Sequence, residues 1–538
     1  MRNMQWLVGV LSAAMLLGCG GGGGGGAGTV APGGSAGNGG GTPIVTPGGT
    51  WLSFTPASVE VAAYEGEAAT FSITGTATRT FAQSFNIGIV DSKGIITTDV
   101  DVRVLTATSY QATLRTSANL SPGVHQSYLE VRLCEDSPTV CKTPLPGSPW
   151  KVPLTLQVKP ASSLTVLTEL PGLGAWSTYG GTASHGNYVP ASFDPTRFSR
   201  RWTQAGGVWN EPLAALAHDG GLVFTTHAAK SSGQLDVVAI SEESGKEVWR
   251  TSLGTLTRTQ SHVNAPAAAN GKVYVTSTGE GSGLWVFDQR TGVLLSKIAF
   301  VAQWGTYMSP TVFGTDVYTS SGYIEGLSKI DTIAGKQAWF APLTTYGGWT
   351  PAADSNYAYG YVGGSLQAFR AAGGNAEFKI ADPSSGSSPV RDSRVPVLSD
   401  KQMAYVTENG RLVAFDLASR SRAWVVDGRI DSMPAYAKGV LYVLAGDRAV
   451  EARAADTGGL LWTAKIDATE VLPGQTFREL VVSDNLIFAS NESMTVAIDM
   501  TSRKIVWQEK RGGRLSISSR GVLYIMSPLG QITAVNLH

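Results

Sequence analysis

The sequence predicts an all-β protein of two folded parts, and three observations predict it. Glycine is abundant, at 65 of 538 residues, and falls between short apolar runs where tight turns belong. Apolar and polar residues alternate through those runs with the period of a half-buried strand, and helical periodicity is absent. One phrase, an apolar strand followed by a turn and then an aromatic residue, also returns through most of the C-terminal part of the chain.

The N-terminus reads as a targeting segment. Arg2 supplies a positive charge, and Trp6 to Leu17 is a mostly apolar run too short to span a bilayer as a mature helix. Leu16-Leu17-Gly18-Cys19 resembles the bacterial lipobox, at which a lipoprotein precursor is acylated on cysteine and cut just before it. Residues 1–18 are therefore expected to be removed and Cys19 to carry the lipid. An ordinary secretory signal that ends near a cysteine is the alternative. Gly20 stands where the enteric sorting rule needs Asp for inner-membrane retention, which favours the outer membrane, on its periplasmic or its surface side. Residues 19–50 are almost entirely Gly, Ala, Ser, Thr and Pro, a flexible tether of about 30 Å end to end.

Secretion sets the redox context. With Cys19 acylated, Cys134 and Cys141 are left as an even remainder, so a disulfide is expected between them, stapling the loop "CEDSPTVC". Two reduced cysteines are the alternative. Charge is balanced, with 41 basic and 41 acidic residues, and no Lys/Arg cluster occurs. Neither nucleic acid nor a polybasic membrane contact is implied.

Residues 51–160 form the first folded part. "LSFTPASVEVAAYEGEAATFSITGT", "SYLEVRLC" and "WKVPLTLQVKP" alternate apolar and polar residues between turn signals. Roughly 110 residues of short strands suit a β-sandwich. The pattern resembles the immunoglobulin-like modules of bacterial surface proteins, the BACON kind among them, and such a module is a spacer or a docking unit.

The second part, residues 170–538, is a repeat. "ISEESGKEVW", "VFDQRTGVLLS", "KIDTIAGKQAW", "AFRAAGGNAEF", "AFDLASRSRAW", "ARAADTGGLLW" and "AIDMTSRKIVW" are versions of one phrase. Their anchors are Trp249, Ser296, Trp339, Phe378, Trp424, Trp462 and Trp507, and Trp202 in "FSRRWTQ" is an eighth without its upstream half. The intervals run from 38 to 47 residues, each with a middle strand such as "GKVYVTS". Such a period with several strands per unit predicts a β-propeller; a solenoid competes, but its repeats are usually shorter or helical. The last unit supplies three strands and stops before its aromatic, while the first begins with that aromatic. Joining them completes one blade and gives an eight-bladed ring, or a seven-bladed one if the unit around Phe378 is incomplete.

The recurring residues read as structural. An aromatic in every blade buries much area between neighbouring sheets, and tryptophan keeps an N–H for a local acceptor. Asp288, Asp331, Asp416 and Asp499 share one repeat position, where a carboxylate can bond turn amides. Ser241, Arg370 and Ala454 replace it in other units.

The phrase "D..TGK..W" resembles the repeat of the pyrroloquinoline-quinone-type propellers, and "WSTYGGTASHGNYVP" resembles the opening segment of that superfamily. The resemblance implies two branches, quinoprotein dehydrogenases and non-enzymatic propellers such as BamB, the lipoprotein of the barrel-assembly machinery. The dehydrogenase branch implies a vicinal cysteine pair over the quinone, an acidic and amide cluster holding calcium, and an Asp base. Here no two cysteines are adjacent, and none lies in the repeat region. No CxxCH, phosphate loop or HExxH occurs, and the one G-x-S-x-G match, Gly33 to Gly37, falls in the tether. The six histidines, His125, His185, His218, His227, His262 and His538, read as surface or turn residues.

The expected protein is thus a lipid-anchored envelope protein with no catalytic residue, no metal and no cofactor. Its propeller would serve as a non-enzymatic platform for protein partners. One alternative is a quinoprotein-like oxidoreductase or small-ligand sensor, with pyrroloquinoline quinone and calcium in the channel. Another is a structural surface protein with carbohydrate contacts through the sandwich.

Overall fold

A computed structural model describes residues 51–538 apart from 82–83, 206–214, 229–231, 256–261, 279–280, 303–308, 322–325, 344–348, 386–392, 431, 447 and 468–474, together with Val8 and Gly9. Cys19, the expected lipid site, and the tether lie outside the described residues. The chain divides into two compact units, Met1–Ala161 and Ser162–His538. Among the described residues no helix is long and apolar enough to cross a membrane.

The first unit is a β-sandwich. One sheet runs Val59–Tyr64, Trp150–Lys159, Gly123–Cys134 and Asn86–Asp91, with Val8–Gly9 at its edge; the other runs Leu52–Thr55, Thr70–Ala77, Ser109–Thr116 and Ile96–Thr106. Strict alternation along Trp150–Lys159 sends Val152, Leu154, Leu156 and Val158 inward, where they meet Ile73, Ala112 and Leu114 of the facing sheet. Cys134 and Cys141 form a disulfide that closes the loop leaving the sheet. Pro138 in that loop sits over Gly88, where an added Cβ would come within 2.8 Å of the proline ring.

The second unit contains eight antiparallel blades of four main strands among the described residues, and the two-residue strands His262–Val263 and Ser393–Arg394 add a fifth to the second and fourth. The first seven, 217–255, 262–299, 311–342, 352–381, 397–430, 435–465 and 479–509, follow one another along the chain. The fifth and sixth are joined into one sheet by a single ladder pair, Ile430 and Ala445. The unit carrying Phe378 has four main strands like its neighbours. The eighth blade joins the two ends of the unit. Arg514–Ile517, Val522–Met526 and Ile532–Asn536 come from the C-terminus, and Ser199–Gln204 from the start pairs with the last of them. No strand edge is left where the ring would open.

Each outer strand carries a β-bulge, and the repeat anchor follows it directly. The register slips between Ala239 and Ile240 opposite Trp249, and does so at the same place opposite Ser296, Trp339, Phe378, Trp424, Trp462 and Trp507. The extra residue turns the anchor toward the next blade. Its cross-strand neighbour is alanine in five of these seven pairs, which leaves room for the ring.

There the indole docks on the following blade's turn. Nε1 of Trp202, Trp249, Trp339 and Trp424 donates to the carbonyl oxygens of Glu242, Gln289, Ala371 and Ala455 at 2.9, 3.0, 3.1 and 3.3 Å. The rings lie against Gly245, Gly292, Gly374 and Gly458, each left-handed, where an added Cβ would fall 2.4 to 2.7 Å from the indole or its carbons. Glycine is needed there for both φ and space. In the fifth and seventh blades Arg420 and Arg503 take the left-handed position, and their guanidinium groups cover Phe378 and Trp462 at 5.0 and 5.6 Å.

Candidate functional site

The site is built by the segment between the linker and the first strand. Residues 176–189 visit the first strand of every blade. The carbonyls of Trp176 and Ser177 accept the amides of His218 and Ala268, and Thr178 Oγ1 donates to the Pro310 carbonyl. The carbonyls of Ala183, Ser184, Gly186 and Asn187 then accept the amides of Ala353, Leu398, Tyr436 and Val482. Tyr179 reaches the eighth blade, where Arg514 Nη1 donates to its hydroxyl at 3.0 Å. One short segment can touch eight blades only where their first strands converge on a common axis, so it lies across one mouth of the channel.

Its backbone explains how so tight a path is possible. Gly180, Gly181, His185 and Asn187 all have left-handed φ. Side chains alternate between a buried face, Trp176, Thr178, Ala183, His185, Asn187 and Val189, and an outward face that includes Thr182, Ser184 and Tyr188. Gly180 is favoured by its left-handed φ of 75° and by tight space, since a Cβ there would come 2.9 Å from the Met433 methyl and 3.1 Å from the His185 backbone. The His185 ring is wholly buried between the carbonyls of Tyr179 and Pro351, 2.5 and 2.9 Å away. Burial pushes its pKa down, against the pull of those two carbonyls.

On the channel side Arg514 pairs with Glu479. Burial pushes the Glu479 carboxyl up while Arg514 draws it back, and the arginine stays charged between Glu479 and Tyr179. The cavity beside them, about 10 Å3, has room for about one water. On the outward side lies a cleft of about 970 Å3 between the segment and the third to sixth blades.

Of the aromatic and aspartate residues singled out from sequence, Phe378 lines this cleft and the others do not. Trp202, Trp249, Trp339, Phe378, Trp424, Trp462 and Trp507 stand on outer strands. Asp288, Asp331, Asp416 and Asp499 accept amide protons within their own turns, and those bonds hold the carboxyls below their usual range. The expectation for three histidines is corrected. His185, His218 and His227 are buried, at 0%, 2% and 7% exposure, because neutral imidazole packs as an aromatic ring; His218 lies 5.1 Å from Tyr524 and 6.1 Å from Trp176.

Sequence reasoning also passed over Arg200 and Arg201. Arg200 pairs with Glu509 of the seventh blade at 2.6 Å, both side chains buried. Arg201, the bulge residue of the closing strand, donates to the carbonyls of Glu242 and Glu243 in the first blade and to Asn536 Oδ1. Two adjacent arginines before a buried tryptophan were the signal available.

Among the described residues no group of three or more His, Cys, Asp or Glu could hold a metal ion.

The family model described as outer membrane protein assembly factor BamB matches residues 186–311 and 324–538. No curated protein matches the chain in sequence. Among solved structures, BamB from Moraxella catarrhalis aligns at 14% identity and a TM-score of 0.48, over 63% of this chain and 97% of its own. A europium-containing methanol dehydrogenase aligns at 12% and 0.54, over 68% and 98%. A quinohemoprotein alcohol dehydrogenase from Comamonas testosteroni aligns at 13% and 0.53, over 67% and 80%. At these identities the two dehydrogenases show a shared fold and nothing finer.

Proposed function

Because the chain belongs to the family of the outer membrane protein assembly factor BamB, we propose that it is an envelope protein whose propeller holds protein partners and performs no chemistry of its own. The observation that carries this reading is the segment 176–189, bonded to all eight blades across one mouth of the channel. A rigid ring tied at its hub suits a scaffold.

Acylation at Cys19 and the Gly-rich tether would hold the folded units beside the outer membrane. Cys19→Ala should abolish acyl labelling and release the protein from membranes; a variant still firmly membrane-bound would contradict the anchor. Cross-linking in intact cells, followed by identification of the captured proteins, tests the platform itself. Reproducible capture of envelope proteins is the expected result. The contrary result is a melting shift with pyrroloquinoline quinone and calcium, with dye reduction on alcohols or sugars. A tight site would raise stability by about 2.7 kcal/mol with free ligand at a hundred times its dissociation constant.

A further inference from the structure

The cleft on the outward side of the hub segment has a chemistry that a protein-holding role does not use. We propose that it binds a neutral oligosaccharide. Its volume, about 970 Å3, is at the upper end of the roughly 300–1,000 Å3 typical of small-molecule sites, enough for a short run of sugar rings.

The floor is made of small and hydroxyl-bearing residues, Ser177, Thr182 and Ser184 among them, with glycines between. The walls carry aromatic faces. Phe313 of the third blade is 37% exposed, and Tyr357 of the fourth packs edge-on against Phe378 at 5.9 Å. Hydroxyls beneath and flat apolar faces beside them match the two surfaces of a pyranose, its polar rim and its C–H face.

Two carboxylates, Asp354 and Asp400, are fixed on those walls by phenols. Tyr359 donates to Asp354 Oδ2 at 2.7 Å, and Tyr436 donates to Asp400 Oδ1. Burial, with Asp400 beside it, pushes the Tyr436 phenol up to about 12, so it remains a donor and keeps the carboxylate oriented. Asp354 Oδ1 also accepts the amides of Asn356 and Tyr357, so Asp400 is the carboxylate offered to ligand hydroxyls in charge-assisted bonds.

The same features disfavour other ligands. The two carboxylates repel anions such as nucleotides. The nearby cation, Arg420, is spent on Glu377 at 2.9 Å and on the Phe378 face. An extended peptide would need a backbone ladder to join, but the floor carbonyls of Ala183, Ser184 and Gly186 already accept amides from the blades. A lipid chain would meet a polar floor.

The test is calorimetric titration of the folded protein with chitotetraose and maltotetraose. The first represents cell-wall amino sugars and the second plain hexose chains. Binding of either sugar is expected, and which one binds names the source. Phe313→Ala and Tyr357→Ala should each weaken it at least tenfold, and Asp400→Asn by a smaller factor, with melting curves unchanged. No heat from either sugar at millimolar concentration would overturn the proposal. So would binding that all three variants leave intact, or displacement of the sugar by an unstructured strand-forming peptide. Capture of protein partners in cells is a separate readout and can succeed or fail independently.

Discussion

Two seams of the same ring are held in opposite ways. At the closing seam, the strand Ser199–Gln204 is pinned on both sides: Arg200 to Glu509 of the seventh blade, Arg201 and Trp202 to the Glu242 turn of the first. Between the second and third blades no buried ion pair or indole anchor stands among the described residues; Asn270 Nδ2 donates to the Gly314 carbonyl and apolar side chains pack across. Ser296 stands at the anchor position, and the turn glycine opposite, Gly335, has no atom within 4 Å of where a Cβ would sit. The outer surface there is apolar, with Val293, Leu295 and Ile333 at 58%, 52% and 83% exposure.

The difference follows from chain connectivity. Neighbouring blades inside the repeat are joined by the polypeptide, so a weak contact between two of them opens nothing. The closing blade joins residues more than 300 apart in sequence, Arg200 and Glu509 among them, and only non-covalent contacts stop the ring from opening. Ordering such distant segments costs entropy, and the buried Arg200–Glu509 pair helps to offset it across that closure.

The largest effect expected from breaking this comparison is loss of the ring. Deleting Gly521 to His538 removes two of the four strands of the closing blade and exposes the edges beside it. Stability should fall far beyond the ~1 kcal/mol typical of a point change, leaving an aggregated or degraded product in expression trials. A truncated protein with a normal cooperative melt would show that closure is dispensable.

Next comes the buried ion pair. Arg200→Ala removes one partner of the buried Glu509, which should cost about 3–5 kcal/mol in urea unfolding. Replacing both partners with methionine should recover most of that loss, because two apolar side chains escape the desolvation penalty. If the single variant loses less than 1 kcal/mol, the clasp does not hold the seam.

How much of this was legible in sequence depends on repetition. Trp249, Trp339 and Trp424 announced themselves because each recurs in the same phrase, and the missing aromatic after the last unit pointed to closure through Trp202. Arg200 and Arg201 occur once, at the one place where the chain must clasp itself, and no period could reveal them. The hub segment was recognisable as a family-like opening, yet its path depends on four left-handed residues and on bonds to eight separate blades. Irregular backbone of that kind has no periodicity to read. The bulge before each anchor was hidden for a related reason, since an unpaired residue looks like any other in a strand pattern.

The closing seam should also be acid-sensitive. His218 of the first blade lies against Tyr524 of the eighth, and burial holds its pKa down, to about 3. Above pH 6.5 the ring is neutral in both folded and unfolded chains and contributes no pH dependence. As pH falls below 6.5 the unfolded chain takes up a proton that the folded chain refuses, so stability drops. Between pH 6.5 and 5 this single group accounts for up to about 2 kcal/mol. His218→Phe should make urea unfolding shallower in pH over that window; an unchanged slope would place the sensitivity elsewhere.

The smallest effect sharpens the comparison from the weak side. Ser296→Trp supplies the aromatic that the second blade lacks, and the open space over Gly335 is where its ring should land, as Trp249 lands on Gly292. Filling that space should raise stability by about 0.5–1 kcal/mol, read as a higher urea midpoint at constant slope. Gly335→Ala removes the landing place, at its own cost from the left-handed φ of 64°, so the two changes belong in a double-mutant cycle. If the indole docks there, the gain from Ser296→Trp should vanish in the Gly335→Ala background. A gain that survives it would mean the new ring has merely covered Val293 and Leu295, and that the seam was never short of an anchor.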